Sequence, residues 1–176
     1  MINKAIEFAT KAHCGATRKG SDTPFILHPL EAATIVARLT DDIDLIVAAV
    51  LHDTIEDTDV TYEDVKREFG VRIADIVNGE SEDKSKTWQE RKSHTLNTLR
   101  DDSLDVKIVA LGDKLANIRS MANDYAKIGD LLWERFNVKE KSLHGWYYKG
   151  LAECFDELRT TQEYKEYTAL VEQVFD

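Results

Sequence analysis

Apolar residues recur along the chain at intervals of three and four, the spacing of one face of an α-helix. Ile2, Ile6, Ala9 and His13 form the first such series, Ala32, Ile35, Val36 and Leu39 the second, and Ile43, Ile46, Val47, Val50 and Leu51 the third. Three helices are therefore predicted to open the chain. Pro29 suits the first turn of the second helix, where its missing N–H has no partner to lose, and this sets His28 at the helix's N-terminal edge. A polar, basic loop from Gly15 to Leu27 precedes it. Thr61 with Asp64, and Thr87 with Glu90, each put a hydroxyl three residues ahead of a carboxylate, the signature of a capped helix start. Gly70 after Phe69 marks a stop, so a short helix is expected between Thr61 and Gly70. Another short stretch is expected over Arg72 to Val77, and a longer helix from Thr87 to about Leu99, with a polar loop from Asn78 to Lys86 between them. Val106, Val109, Ala110, Asp113, Asn117 and Met121 share one helical face whose apolar stripe is interrupted by two polar residues. Two last helices are expected, from about Asp130 to Leu158 with a break and from Thr161 to Phe175.

With only two prolines and eight glycines in 176 residues, the chain lacks the turn punctuation of a many-stranded protein, and the fold class is read as all-α. No repeat, low-complexity run or linker divides residues 1–176, so one domain is expected. A chain of this length builds a core without disulfides or metal, and any metal would be there for chemistry. Its 33 acidic and 23 basic residues give a formal charge of −10, which weighs against nucleic acid or an anionic membrane as the main partner. A phosphorylated small molecule would need positive charge concentrated locally. The longest apolar run, Ile43 to Leu51, contains Asp44 and falls short of the roughly 18 residues a membrane span requires. Two distant cysteines, Cys14 and Cys154, and an opening MINKAIEFAT without a signal stretch lead to the expectation of a soluble, cytoplasmic protein.

The candidate chemistry lies where the apolar third helix meets His52-Asp53-Thr54-Ile55-Glu56-Asp57-Thr58. A carboxylate taken out of water costs several kcal/mol unless it is paired or bound to a cation, so His52 and Asp53 beside a core helix point to a metal. Continued along the helix, the i, i+4 pairs His52/Glu56 and Asp53/Asp57 bring two more carboxylates one turn further along the same flank. His28 and Asp113 are the candidates to complete the set, giving two His and two Asp. Such donors without thiolates suit Mn²⁺, Fe²⁺, Zn²⁺ or Co²⁺, and the carboxylate content favours Mn²⁺. Alone, the His52-Asp53 dipeptide reads as a core histidine paired with its neighbour. Glu56, Asp57, His28 and Asp113 tip the balance to a metal site.

These residues resemble the HD-domain metal phosphohydrolases, and within them the hydrolase domain of the bifunctional Rel/Spo alarmone enzymes and the small stand-alone, MESH1-like alarmone hydrolases. Nearly the whole chain is covered. The resemblance is carried by Arg18-Lys19-Gly20 with Thr23-Pro24-Phe25-Ile26-Leu27-His28-Pro29, by Leu51-His52-Asp53-Thr54-Ile55-Glu56-Asp57-Thr58, by Glu82-Asp83-Lys84, and by Gly112-Asp113-Lys114-Leu115-Ala116-Asn117-Ile118-Arg119-Ser120. It implies a helical bundle that removes the 3′-pyrophosphate of the guanosine tetra- and pentaphosphates ppGpp and pppGpp. It further implies Mn²⁺ on His28, His52, Asp53 and Asp113, and a catalytic water served by Glu56 and Asp57. Arg18, Lys19 and Asn117 would contact the substrate, with Ser120, Lys84 and Tyr147 as further candidates for the same pocket. Two stretches depart from the family pattern, Gly79-Glu80-Ser81 before the acidic-lysine loop and Ala116 ahead of Asn117, and both are expected to face the nucleotide. No residues for a nucleotide-synthesising domain follow, so a monofunctional hydrolase is expected.

Two rival readings follow from the same residues. One is an HD-type phosphatase acting on another nucleotide, an NADPH phosphatase or a nucleotidase; the other is a metal- and nucleotide-binding module without turnover. The Glu56-Asp57 pair argues against the second, because a pure binder has no use for two carboxylates repelling an anionic ligand. His13, His94 and His144 read as surface or packing residues. The cluster Trp133, Phe136, Trp146, Tyr147 and Tyr148 reads as core or as an interface between copies of the chain, so a homo-oligomer is among the allowed states. Asp41-Asp42, Glu80 to Lys86 and Lys139 to Lys141 read as solvated charge.

Overall fold

A computed structural model describes residues 1–79 and 84–176. Among the described residues there are ten α-helices: α1 (Ile2–Ala12), α2 (Leu27–Leu39), α3 (Ile43–Leu51), α4 (Thr54–Asp57), α5 (Tyr62–Phe69), α6 (Val71–Gly79), α7 (Trp88–Asp101), α8 (Leu104–Ile128), α9 (Lys141–Cys154) and α10 (Gln162–Phe175). The extended pairing among these residues is one isolated bridge, Thr17 with Pro24, which pins the loop between α1 and α2. Both expected capping boxes form, Thr61 with Asp64 at α5 and Thr87 with Glu90 at α7. Asp42 is more than a solvated charge: it caps α3 by accepting from the Asp44 N–H at 2.9 Å, and it pairs with Arg72 at 2.8 Å.

One apolar core joins these helices, with α8 packed on α2, α3 and α10. Arg119 on α8 ties Glu31 on α2 to Glu166 on α10, and the buried Tyr167 hydroxyl of α10 donates to the Tyr148 carbonyl of α9 at 2.9 Å. The α2/α8 crossing is set by Gly112. A β-carbon there would stand 2.6 Å from Val36 Cγ2 and 3.0 Å from the Ala32 carbonyl oxygen. This close approach brings Asp113, the next residue of α8, against His28, one turn before Ala32 on α2. Gly112→Ala gains helix propensity but overpacks a β-branched neighbour and a backbone carbonyl. We expect a net loss of about 1–2 kcal/mol in urea denaturation. An unchanged or raised midpoint would show that the crossing has slack.

Two expectations about the elements need correction. The apolar third helix does not run through His52 and Asp53; α3 stops at Leu51 and α4 begins at Thr54. Side chains take the carbonyls that a continuous helix would use: His52 Nδ1 donates to the Ala49 oxygen at 2.8 Å, and Thr54 Oγ1 to the Leu51 oxygen at 2.6 Å. A helix from Asp130 does not form either. Gly129, at φ +55°, ends α8; residues 129–135 make a 3₁₀ turn, and α9 starts only at Lys141. Trp133 Nε1 donates to Asp130 Oδ1 at 3.2 Å, and a His144 ring nitrogen contacts the Val138 oxygen at 2.8 Å, so local polar contacts hold this connection.

Candidate active site

Three segments converge at the candidate centre. His28 comes from the first turn of α2, His52 and Asp53 from the break between α3 and α4, and Asp113 from α8. His28, His52 and Asp113 are buried, and Asp53 is half-buried. His28 Nε2 lies 3.2 Å from His52 Nε2, 3.0 Å from Asp113 Oδ1 and 3.4 Å from Asp53 Oδ2. His52 Nε2 lies 3.1 Å from Asp53 Oδ2 and 3.5 Å from Asp113 Oδ1.

This donor set fits a divalent ion. The His52 Nδ1 contact to a carbonyl, which only accepts, makes Nδ1 the protonated nitrogen of the neutral ring and leaves Nε2 with a lone pair facing two carboxylates. Lone pairs so placed repel unless positive charge sits among them. Burial opposes charge on His52, yet Asp53 and Asp113 outweigh it and raise its pKa well above the usual imidazole range. Burial likewise works against both carboxylates; His52 and His28 hold Asp53 below the ordinary range, and Lys114 and His52 do the same for Asp113. For metal bonds of about 2.1 Å, neighbouring donors stand about 3.0 Å apart in an octahedron and about 3.4 Å apart in a tetrahedron. The five separations here, 3.0–3.5 Å, span that range. His28, His52 and Asp113 alone form a group able to hold an ion, and Asp53 adds an oxygen beside both imidazoles.

The cluster opens into a cavity of about 430 Å³, within the range of small-molecule sites. Glu56 and Asp57, on α4, line it. Arg18 spans its wall: one guanidinium nitrogen donates to Asn117 Oδ1 at 2.8 Å, and the group lies over the Phe25 ring. Exposed Lys19 and Ser120 sit at its edge, and buried Tyr147 lines it with Lys92 over its ring. Lys84 is not in the lining. Its ammonium donates to Asp57 Oδ1 at 2.8 Å and to the Glu56 carbonyl at 2.6 Å, which raises its own pKa and makes it a support for α4. Ala116 also departs from expectation, since it is buried in the core and away from the cavity. Gly79 ends α6 and is exposed, while Glu80, Ser81, Glu82 and Asp83 lie outside the described residues.

Sequence reasoning missed three cations of this cavity, Lys92, Lys114 and Arg135. Lys114 contacts Asp113 Oδ2, and Arg135 pairs with Asp124 at 2.9 Å. With Arg18 and Lys19 they bring five cations to the lining, beside the carboxylates Asp53, Glu56, Asp57, Asp113 and Asp124, so an anionic ligand would meet the positive charge in places rather than as an overall excess. Lys114 could have been found from its place directly after Asp113; Arg135 lies in the segment misread as helix. His94 is exposed, and His13 is buried against Phe25. His144 packs on Trp133 and lines the cavity, and of the aromatic cluster Trp146 alone is exposed.

Residues 5–138 match the profile of the HD domain family. The chain is 32% identical over 166 residues to the guanosine-3′,5′-bis(diphosphate) 3′-pyrophosphohydrolase MESH1 of Mus musculus, covering 93% of this chain and 87% of that protein. It is 37% identical over 123 residues to the guanosine-3′,5′-bis(diphosphate) 3′-pyrophosphohydrolase of Aquifex aeolicus, covering 68% of this chain but only 18% of that longer protein. A solved structure described as a metazoan ortholog of SpoT that hydrolyzes ppGpp and plays a role in starvation responses superposes with a TM-score of 0.77 at 26% identity, over 98% of this chain and 94% of its own. Among the described residues no helix is long and apolar enough to cross a membrane.

Proposed function

The chain belongs to the HD domain family, and on that premise we propose that it is a Mn²⁺-dependent phosphohydrolase removing the 3′-pyrophosphate of ppGpp and pppGpp to give GDP or GTP and pyrophosphate. The observation that carries this reading is the convergence of buried His28, His52 and Asp113 with half-buried Asp53, opening on a cavity whose lining includes the cations Arg18, Lys19, Lys92, Lys114 and Arg135. Mn²⁺ is proposed over softer ions because the donors are imidazole and carboxylate, and neither cysteine belongs to the set. When bound, the ion supplies Lewis acidity, which offsets charge developing on phosphoryl oxygens and makes a water acidic enough to ionise near neutral pH.

The protein's own groups divide the remaining work. Glu56 and Asp57 face the cavity from α4 and are proposed to hold the attacking water and take its proton. Lys84 fixes the Asp57 carboxylate and the α4 backbone. Arg18, Lys19, Lys92, Lys114 and Arg135 are proposed to attract and orient the phosphates, with Asn117, Ser120 and Tyr147 completing the wall. Residues 139–176 lie beyond the family match, yet α9 contributes His144, Tyr147 and Tyr148 to the lining, which supports reading 1–176 as one working domain. Two free cysteines, one exposed and one buried, are consistent with the cytoplasm as its compartment.

The deciding experiment incubates purified, Mn²⁺-supplied protein with guanosine polyphosphates, NADPH and mononucleotides, detecting phosphate and pyrophosphate separately. Pyrophosphate from ppGpp is expected. Orthophosphate from NADPH or a mononucleotide would replace this reading with a phosphatase, and binding without turnover would make the protein a binding module. With metal in excess, Arg18→Ala is expected to raise KM about tenfold at similar kcat, because a wall cation contributes to binding before chemistry. An unchanged KM for every guanosine nucleotide would remove Arg18 from the substrate contacts.

A further inference from the structure

Asn117 stands one helical turn beyond Asp113 on α8, and both ends of its amide are engaged. Its Nδ2 donates to Asp113 Oδ1 at 2.6 Å, and its Oδ1 accepts from Arg18 at 2.8 Å. A guanidinium only donates and a carboxylate only accepts, so these partners fix the amide's orientation. Flipped, it would set oxygen against carboxylate and NH₂ against guanidinium. The Asp113 oxygen it holds is the one 3.0 Å from His28 Nε2 and 3.5 Å from His52 Nε2, while Lys114 takes the other oxygen. Arg18 thus connects, through a single amide, to the atom of Asp113 that faces both imidazoles.

We infer that Arg18 and Asn117 form a positioning relay that sets the Asp113 oxygen for the metal, so that Arg18 governs metal affinity without touching the ion. The inference rests on the proposed metal site and adds a role for both residues in holding Asp113. Loss of the amide frees the carboxylate to rotate, and partners of this kind are worth about 10–100-fold in metal affinity. Loss of Arg18 leaves the amide in place but unrestrained, with a smaller effect of the same sign. Charge alone predicts the reverse, because removing a cation beside a cation site tightens metal binding. The sign of the Arg18 effect therefore separates the two mechanisms.

The test is a double-mutant cycle read as the Kd for Mn²⁺ with no nucleotide present, on wild type, Arg18→Ala, Asn117→Ala and the double variant. Asp113→Ala serves as the control for the metal site itself. Asn117→Ala is expected to raise Kd about 10–100-fold, and Arg18→Ala about three- to tenfold. In the Asn117→Ala background, Arg18→Ala should weaken binding no further. Arg18→Lys, which keeps the charge and a donor, should recover part of the affinity. Arg18 lies in a loop, so its replacement tests the relay even if Asn117→Ala disturbs folding, which circular dichroism would reveal. The relay is overturned if Arg18→Ala leaves Kd unchanged or lowers it, or weakens binding equally in both backgrounds. Failure of the metal site is a different result: wild type would then bind no Mn²⁺, or bind it as well without Asp113.

Discussion

His52→Ala, and separately Asp113→Ala, are expected to lose bound Mn²⁺ and hydrolytic activity together. Each removes a buried donor atom from a set whose separations match neighbouring positions around one ion. The partners left behind cannot fill in. His52 is fixed by its Nδ1 contact to Ala49, and Asp113 by Lys114 and Asn117, so neither site has a spare side chain ready to swing across. Metal affinity should fall by more than about 100-fold, since even partners outside the donor set are worth 10–100-fold. Elemental analysis of the purified variants gives the metal-to-protein ratio directly. A ratio equal to wild type in either variant would strike that residue from the ligand set.

Glu56→Gln is expected to keep the metal and lose the chemistry. The substitution preserves size and hydrogen bonding but removes basicity, so kcat should fall by roughly 10²–10⁴-fold. Glu56 is half-buried on the cavity side of α4 and outside the cluster of imidazole and carboxylate atoms, which is why metal content should hardly change. Proton transfer occurs in the transition state, and kcat and kcat/KM should therefore drop in parallel at a similar KM. Asp57→Asn should follow the same pattern if the two carboxylates share the task, with an added effect from releasing Lys84. Steady-state kinetics on metal-loaded protein, with pyrophosphate release as readout, decides the matter. Near wild-type kcat in both variants would leave no role for α4 in proton transfer.

Local signals in the sequence translated well. The capping boxes at Thr61 and Thr87 depend on residues three apart, and both formed as expected. His52, Asp53 and Asp113 stand out in the sequence because charge and imidazole interrupt or end apolar helices, and His28 because Pro29 sets it at a helix N-terminus; the structure brings all four together. What escaped the sequence rests on side-chain contacts to nearby polar groups and, for the cavity cations, on tertiary placement. The end of α3 rests on His52 and Thr54 side chains capturing carbonyls, which the apolar periodicity of Ile43 to Leu51 does not reveal. The irregular stretch after Gly129 is held by local contacts, Trp133 to the Asp130 carboxylate and His144 to the Val138 carbonyl, which apolar spacing does not register. Lys92 and Arg135 look like ordinary solvated charges until the α7 helix and the connection to α9 fold over the cavity. Lys84, read as an anchor for substrate, meets Asp57 first.

The candidate donors come from three segments widely separated along the chain, at residues 28, 52–53 and 113. On the proposed reading, an ion there closes two long loops and acts as a reversible cross-link. Binding only the folded form, it adds about 2.7 kcal/mol of stability at one hundred times its Kd. Metal supply then sets how long each molecule survives as well as how fast it turns over, because the metal-starved form unfolds more often and is the one that chaperones and proteases meet. Cellular abundance and catalytic rate would thus be governed through the same four side chains.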